Sequence, residues 1–448
     1  MARSSAGATE DPRTLLRAAA PWLLPRELGT CIVGTAALAE ACRRTETQGP
    51  RVGDLDLAWA LDVASGERLL REHGVFVPTT EANRSRGTLA CKLLGERIEV
   101  TSYRGPDDRL PLDERLQQDL ARRETTVGAL AWRLEDDRIF DPLGGLTHYA
   151  EQRIVPCGDP RARVEEHPIR WVRWYRRANE WGFDLEPSIR GLAPDPALLA
   201  TIPREALAQE LRATLARCAS PGRVLLELHE AGILAHITPE LAPQFDGRPA
   251  GPVRHHPEVS QALHVVLALE WAAERTARLS ENDRVAVAVA VLGHDLGKNL
   301  TPPGRFPTHP GHERDGLAPL QALLLSLPGL ADGSVRRLAE AVCALHLVIR
   351  DLDALRPGTL AGLYDDWFRN PDLQAELFAL AIGADVGGRL GRAEAGDHVA
   401  AKVRNGVRWL RERCESVDAA ALRAASGDDL EAFRSALHRS RAEALRSR

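Results

Sequence analysis

Two aspartates stand two residues apart in Gly53-Asp54-Leu55-Asp56-Leu57-Ala58, at the start of an apolar run. On a strand, alternate side chains share a face, so Asp54 and Asp56 would point together and could hold a divalent metal between them. A later run, Glu96-Arg97-Ile98-Glu99-Val100-Thr101-Ser102, puts Ile98, Val100 and Ser102 on one face and Arg97, Glu99 and Thr101 on the other. Glu99 could then supply a third carboxylate. Hard oxygen ligands suit Mg2+, and the chemistry such a set serves is phosphoryl or nucleotidyl transfer. Two ions activate the attacking hydroxyl and neutralise the leaving pyrophosphate.

A second constellation is histidine. Seven of the fourteen histidines (His255, His256, His264, His294, His309, His312, His346) fall between residues 251 and 350. Its centre is Leu292-Gly293-His294-Asp295-Leu296-Gly297-Lys298, with His264 upstream and His346 and Asp385 downstream. Imidazoles and carboxylates on separate helices can close around one or two divalent ions and generate a hydroxide that attacks a phosphoester. His309 or His312, on a loop of prolines and glycines, could complete a second metal or bind substrate phosphate. Between the two constellations, Arg170, Arg173 and Arg177 lie at i, i+3 and i+7 on one helical face, while Trp171, Trp174, Ala178 and Trp181 lie on another. Guanidinium groups on a rigid helix can clamp triphosphate oxygens in pairs or read a base edge.

The elements that must position these residues differ along the chain. Short β-branched runs (Cys31 to Gly34, Leu55 to Leu61, Leu89 to Leu94, Arg97 to Tyr103) alternate with helical stretches such as Thr35 to Thr45 and Gly66 to His73, which predicts a small α/β head over 28–150. The residues before it read as a tail or a short capping helix. Leu, Ala, Arg and Glu then recur at helical spacing, predicting a helical neck and body over 151–245. The stretch from Phe245 to Pro257 has three prolines and two glycines, the strongest linker signal in the chain, and 255–448 is again helical. With 44% hydrophobic and 27% charged residues and a net charge of −5, the 448-residue chain is neither disordered nor fibrous. No window approaches the roughly 18 apolar residues of a bilayer span, and the start lacks a secretory pattern, so the expected setting is cytoplasmic with no membrane partner. Seven scattered cysteines without a CxxC pair read as buried thiols in a reducing compartment.

The order GDLDLA, RGTLACKLLGERIEVTSYR, DLARRETTVGALA, FDPLGGLTHYAEQRIV and EEHPIRWVRWYRRANEWGF resembles the bacterial tRNA nucleotidyltransferases. These CCA-adding enzymes, with their poly(A) polymerase relatives, belong to the DNA polymerase β-like superfamily. The resemblance implies an α+β chain: a polymerase β-like head, a helical neck that selects the nucleotide, and a helical body and tail that hold tRNA. It places Asp54 and Asp56 on the family's Mg2+ ligands and Gly34 and Thr35 on its phosphate-facing turn. Arg123 falls on its RRD motif, and Glu166, Arg170, Arg173 and Arg176 on neck positions that contact the incoming CTP or ATP. The matches depart from the family pattern in three places. Gly34-Thr35-Ala36-Ala37-Leu38-Ala39 stands where the family has GGxVRD, Arg122-Arg123-Glu124-Thr125-Thr126-Val127-Gly128 where it has RRDFTIN, and Glu166-His167-Pro168-Ile169-Arg170 where it has EDxxR. At His167 a carboxylate that accepts from an exocyclic amine is replaced by an imidazole with one donor and one acceptor.

The histidine constellation is similar to the HD-domain metal phosphohydrolases, and its surroundings to the HD tail of some bacterial CCA-adding enzymes. That resemblance implies an all-α HD domain in which His264, His294, Asp295, His346 and Asp385 hold a divalent metal. The function these resemblances imply is addition of C and/or A nucleotides to tRNA 3′ ends, joined to hydrolysis of phosphoesters of the 2′,3′-cyclic or 2′-nucleotide type. The alternative is an HD phosphohydrolase whose degenerate head serves as an RNA-binding platform.

Overall fold

The computed structural model describes residues 11–50, 52–53, 55–105 and 108–446. Two compact units divide the chain: one runs up to Arg170 and takes in Gly182–Leu192, the other joins Trp171–Trp181 to Ala193 onward.

The first unit is built on a mixed sheet of β1 (Cys31–Val33), β2 (Asp56–Trp59), β3 (Thr88–Leu93), β4 (Glu96–Ser102), β5 (Ala131–Arg133) and β6 (Ile139–Phe140), in the spatial order β3-β4-β2-β1-β5-β6. Strand β2 pairs antiparallel with β1 and parallel with β4. The two central strands, β1 and β2, are buried almost throughout, which is why they read as continuous apolar runs. Cys31, Val33, Ala58 and Ala131 form one core with Leu116 and Leu120 of the helix Leu112–Ala121. Helices follow β1 and β2 directly, Thr35–Arg44 and Val63–Glu72, the second opened by Asp62, whose carboxylate accepts from Ser65 N. The four strands legible in the sequence are present within a residue or two; β5 and β6, too short to show a period, are additions. The first described residues form the helix Pro12–Ala19, docked by buried Leu16 and by Arg13 and Arg17, which both donate to the Leu134 carbonyl.

One buried charge ties this unit together. Asp119 is fully buried and accepts from Arg104 Nε at 2.8 Å and from Arg123 Nη2 at 3.1 Å. Burial opposes its ionisation, yet Arg123 and Arg104 overcome that and hold its carboxyl below the usual value.

The second unit is helical. Its central helix, Glu281–Gly293, is buried continuously from Val285 to Gly293 and packs against Gln261–Thr276, Gly333–Leu345 and Ala375–Gly387. The segment 245–257, read above as a joint, runs inside this unit. Phe245 and Ala250 are buried, and the carbonyls of Pro249 and Ala250 lie on His309 Nε2 and Lys298 Nζ. Its prolines and glycines shape a tight loop whose carbonyls satisfy buried donors. The seven cysteines are buried and unpaired. No described helix is long and apolar enough to cross a membrane.

Removing Asp119 leaves two part-exposed guanidiniums without their shared carboxylate, a change worth about 1–3 kcal/mol. Asp119→Ala should lower the unfolding transition of this unit by that amount in calorimetry of the full chain; a loss below about 1 kcal/mol would contradict the role given to Asp119. Since the folded carboxyl sits below its unfolded value of about 3.9, its contribution is complete above that pH and fades as pH falls through the folded value.

Candidate functional site

The sheet fixes the head carboxylates. Asp56 is the first residue of β2, and its Cα partner on parallel β4 is Glu99. Residues in register on neighbouring strands present their side chains to the same face, so these two carboxylates stand side by side. Glu99 is 43% exposed and pairs with Arg97 at 3.2 Å. Asp54 lies outside the described residues. Gly34, between β1 and the helix Thr35–Arg44, has φ +71° and ψ −140°, a conformation that only glycine adopts without strain. Thr35 opens the first turn of that helix, and no side chain caps it. Arg123 spends Nε and Nη2 on Asp119.

The neck residues are all engaged. Arg170, 4% exposed, donates to Glu166 at 2.9 Å and to the carbonyls of Arg163 and Arg122. Arg173 and Arg176 converge on opposite oxygens of Glu210, at 2.6 and 2.8 Å. Burial opposes ionisation of Glu210, but Arg173 and Arg176 hold its carboxyl below the usual value. Trp171, Trp174 and Ala178 are buried, as their helical stripe predicts, while Trp181 is half-buried beneath Arg177; on the arginine face Arg170 is buried and ion-paired, and Arg173, 36% exposed, pairs with Glu210.

In the second unit, four helices and their ends bring His264, His294, Asp295, His346 and Asp385 together, none more than 3% exposed. His264 lies in Gln261–Thr276, His294 and Asp295 at the end of Glu281–Gly293, His346 at the end of Gly333–Leu345, and Asp385 in Ala375–Gly387. Asp295 is the pivot. Its Oδ2 is 3.1 Å from His294 Nε2 and 3.8 Å from His264 Nε2, and its Oδ1 is 3.2 Å from His312 Nε2 and 3.8 Å from His346 Nε2. Asp385 Oδ1 closes the first set, 3.4 Å from His264 Nε2 and 3.7 Å from His294 Nε2. His264, His294 and Asp385 form one group able to hold a metal, and Asp295, His312 and His346 a second.

The rings are aimed from behind. His294, His312 and His346 each place Nδ1 on a carbonyl three residues earlier, those of Val291, His309 and Cys343, at 2.6, 2.6 and 3.0 Å. That fixes Nδ1 as the protonated nitrogen and leaves the Nε2 lone pair facing inward. His264 rests Nδ1 against the Glu258 carboxylate at 3.1 Å. Gly297 permits the approach of His312, since a Cβ there would lie 2.0 Å from the His312 carbonyl oxygen. Burial pushes the imidazoles of His264, His294 and His346 below the usual value, so they are neutral ligands at pH 7. Burial resists ionisation of Asp295, but the Lys298 ammonium beside it holds it anionic. The Nε2 atoms of His264 and His294 and Oδ1 of Asp295 are buried without a hydrogen-bond partner. Soft-borderline nitrogens and hard oxygens left open to one point are the donor set of a divalent metal.

His312 thus joins the cluster, while His309, three residues earlier, turns Nε2 onto Pro249 O at 2.9 Å and stays outside the ligand groups. Sequence reasoning missed Glu258, Lys298, Arg350 and Arg389. Lys298 Nζ is 2.7 Å from Asp295 Oδ2, Arg350 contacts Asp385 Oδ2, and Arg389 Nη2 is 3.4 Å from Asp385 Oδ1. Only Lys298, three residues after Asp295, offered a signal in its spacing.

Comparison with known proteins agrees with this architecture. The Poly A polymerase head domain family matches residues 42–155. The multifunctional CCA protein of Xanthomonas campestris pv. campestris is 36% identical over 306 residues, 67% of this chain and 72% of that protein. That of Cupriavidus metallidurans is 31% identical over 364 residues, 79% of this chain and 83% of that protein. Among solved structures, the Bacillus stearothermophilus CCA-adding enzyme in complex with CTP superposes with a TM-score of 0.64 at 18% identity, covering 97% of this chain and 92% of that one. The Thermotoga maritima CCA-adding enzyme complexed with tRNA gives 0.62 at 14% identity, over 97% and 92%. The mixed-sheet head and helical body are the fold of a nucleotidyltransferase. More narrowly, the chain belongs to the bacterial CCA-adding enzymes, the family of the multifunctional CCA proteins.

Full-length protein prepared with divalent metal should retain at least one ion per chain by elemental analysis, and Asp295→Ala should release it; equal retention in the variant would contradict the ligand assignment. Because burial keeps the imidazoles neutral below the usual midpoint of about 6.5, retention should persist at pH 6. Release centred on pH 6.5 would show ordinary, solvated histidines.

Proposed function

We propose that this chain transfers C and A nucleotides from CTP and ATP to tRNA 3′ ends, and that its histidine cluster hydrolyses phosphoesters of the 2′,3′-cyclic or 2′-nucleotide type. The observation that carries the first half is the register of Asp56 with Glu99 on adjacent parallel strands, in a chain of the CCA-adding family. Asp54 and Asp56 hold Mg2+, with Glu99 as the third carboxylate. Bound there, Mg2+ supplies charge neutralisation at the reacting phosphate and a lowered pKa for the attacking hydroxyl. Gly34 leaves the backbone open before Thr35, and the helix N-terminus behind it favours the triphosphate. Arg123, two residues beyond the helix Leu112–Ala121, is oriented by Asp119 four residues earlier and serves the nucleotide's phosphates.

In the neck, Glu166 offers an acceptor and Arg170 a set of donors in one held pair, the combination that reads a base edge. Arg173 and Arg176 meet the nucleotide by exchanging Glu210 for its oxygens. In the second unit, His264, His294, Asp295, His346 and Asp385 hold the metal, with His312 completing a second position; His309 supports the loop that carries His312. A divalent ion in that cluster supplies a hydroxide nucleophile at neutral pH. Asp295 orients both sets through its two oxygens, and Lys298 balances its charge.

The second reading, an HD phosphohydrolase with a head that only holds RNA, is favoured by one observation: Arg170, Arg173 and Arg176 all have carboxylate partners. Incorporation of labelled CTP and ATP, separately and together, onto a tRNA transcript lacking CCA decides between them. The first reading predicts incorporation that falls by roughly a thousandfold or more in Asp54→Ala and Asp56→Ala, matching the several kcal/mol that metal charge stabilisation supplies. No incorporation by the unaltered chain would favour the second. His167→Asp should sharpen discrimination between CTP and ATP; unchanged selectivity would mean that this position does not read the base.

A further inference from the structure

Arg350 and Arg389 come from different elements and converge on one carboxylate. Arg350 lies in the turn Ile349–Ala354, just after His346, and Arg389 just after the helix Ala375–Gly387. Both guanidiniums reach Asp385, Arg350 at Oδ2 and Arg389 at Oδ1. A single carboxylate that is also a metal ligand cannot satisfy two guanidiniums, each with five donors. The Nε atoms of both arginines are buried without a hydrogen-bond acceptor. Leaving such charged donors unpaired is costly, so the site is built for an acceptor that the protein itself does not provide.

Charge leads to the same ligand. The buried carboxylates of the cluster, Glu258, Asp295 and Asp385, are matched by three cations, Lys298, Arg350 and Arg389. Glu313 stands at the edge, 29% exposed and 3.8 Å from His312 Nδ1. Three carboxylates against three cations leave this inner set balanced before any metal enters, and each divalent ion adds two positive charges. An oxyanion that bonds metal and guanidinium together removes that excess. Position fits as well: the side chains of His264, His294, Asp295, His346 and Asp385 are 0–4% exposed, whereas those of Arg350 and Arg389 keep 19% and 14%. The arginines form the layer between the ligands and solvent.

We propose that Arg350 and Arg389 are a two-arginine clamp for the non-bridging oxygens of a phosphoryl group placed against the metal ligands. The proposal rests on the metal-centre reading above and assigns its substrate-binding residues. Planar guanidiniums suit it because each can meet two phosphate oxygens at once, which an ammonium cannot. Asp385 holds both guanidiniums until phosphate arrives.

The test uses full-length protein loaded in parallel with Mg2+, Mn2+, Co2+, Ni2+ and Zn2+. Retained metal is counted by elemental analysis, and inorganic phosphate is titrated by calorimetry, with Asp295→Ala subtracting any phosphate bound in the head. Arg350→Ala and Arg389→Ala should retain metal at the unaltered level while phosphate binding weakens roughly ten- to a hundredfold, the range for a charge-assisted pair. Arg350→Lys, which keeps the charge and is the fallback if the alanine variant does not fold, should fall between. Unchanged phosphate affinity in metal-loaded variants overturns the clamp and leaves the metal centre standing. So does loss of metal in Arg350→Ala or Arg389→Ala, which would make the arginines supports for Asp385 alone. Failure of the unaltered chain to retain any of the five metals overturns the metal centre itself.

Discussion

Asp295 is 1% exposed, and water around its carboxylate is replaced by two sequence neighbours, His294 and Lys298, and by three residues from distant segments, His264, His312 and His346. A buried carboxylate with partners missing is costly, so helices and loops far apart in sequence must hold their places together. The helix Glu281–Gly293 is buried from Val285 to its end and delivers this residue to the middle of the unit. Close approach at Gly297 and the carbonyl anchors behind three imidazoles follow from the same requirement, since rings aimed at one point need fixed backs.

The same physics recurs on a smaller scale in the head and neck. Asp119 gathers Arg104 and Arg123, and Glu210 gathers Arg173 and Arg176. These pairings preset the direction of each guanidinium, which lowers the entropy lost when it meets an anionic ligand. On the nucleotide-binding reading proposed above, they also make binding at the neck a competition, because a nucleotide would have to offer Arg173 and Arg176 more than Glu210 does. Selectivity can then reside in how well each base and triphosphate displaces that carboxylate, and so need not depend on the residues that depart from the family pattern at 34–39 and 167.

Much of this was legible in the sequence where period and local spacing carry the signal. Strands of the head were visible because their apolar or alternating runs are short and bounded by turns, and the His294-Asp295 pair with His264, His346 and Asp385 was visible because ligand-type residues recur in order. The register of Asp56 with Glu99 was not, since a parallel pair is joined through a crossover and its alignment is fixed by packing. His309 and His312 looked equivalent at three residues' spacing; only the loop geometry sends one to a backbone carbonyl and the other to the cluster. Glu258, Arg350 and Arg389 are ordinary charged residues in the sequence, and their convergence needs four separate elements to be in place. The proline and glycine segment 245–257 has the composition of a joint, but its carbonyls pair with buried donors, a use that composition does not reveal.

The central claim is that one chain carries two independent centres, carboxylates on a sheet for nucleotidyl transfer and a histidine-aspartate cluster among helices for phosphoester hydrolysis. The most direct measurement is a double dissociation: nucleotide incorporation and phosphoester hydrolysis assayed on the same preparations of Asp56→Ala and Asp295→Ala. The account predicts that Asp56→Ala loses incorporation and keeps hydrolysis, and that Asp295→Ala does the reverse. Loss of both activities together in either folded variant would contradict it.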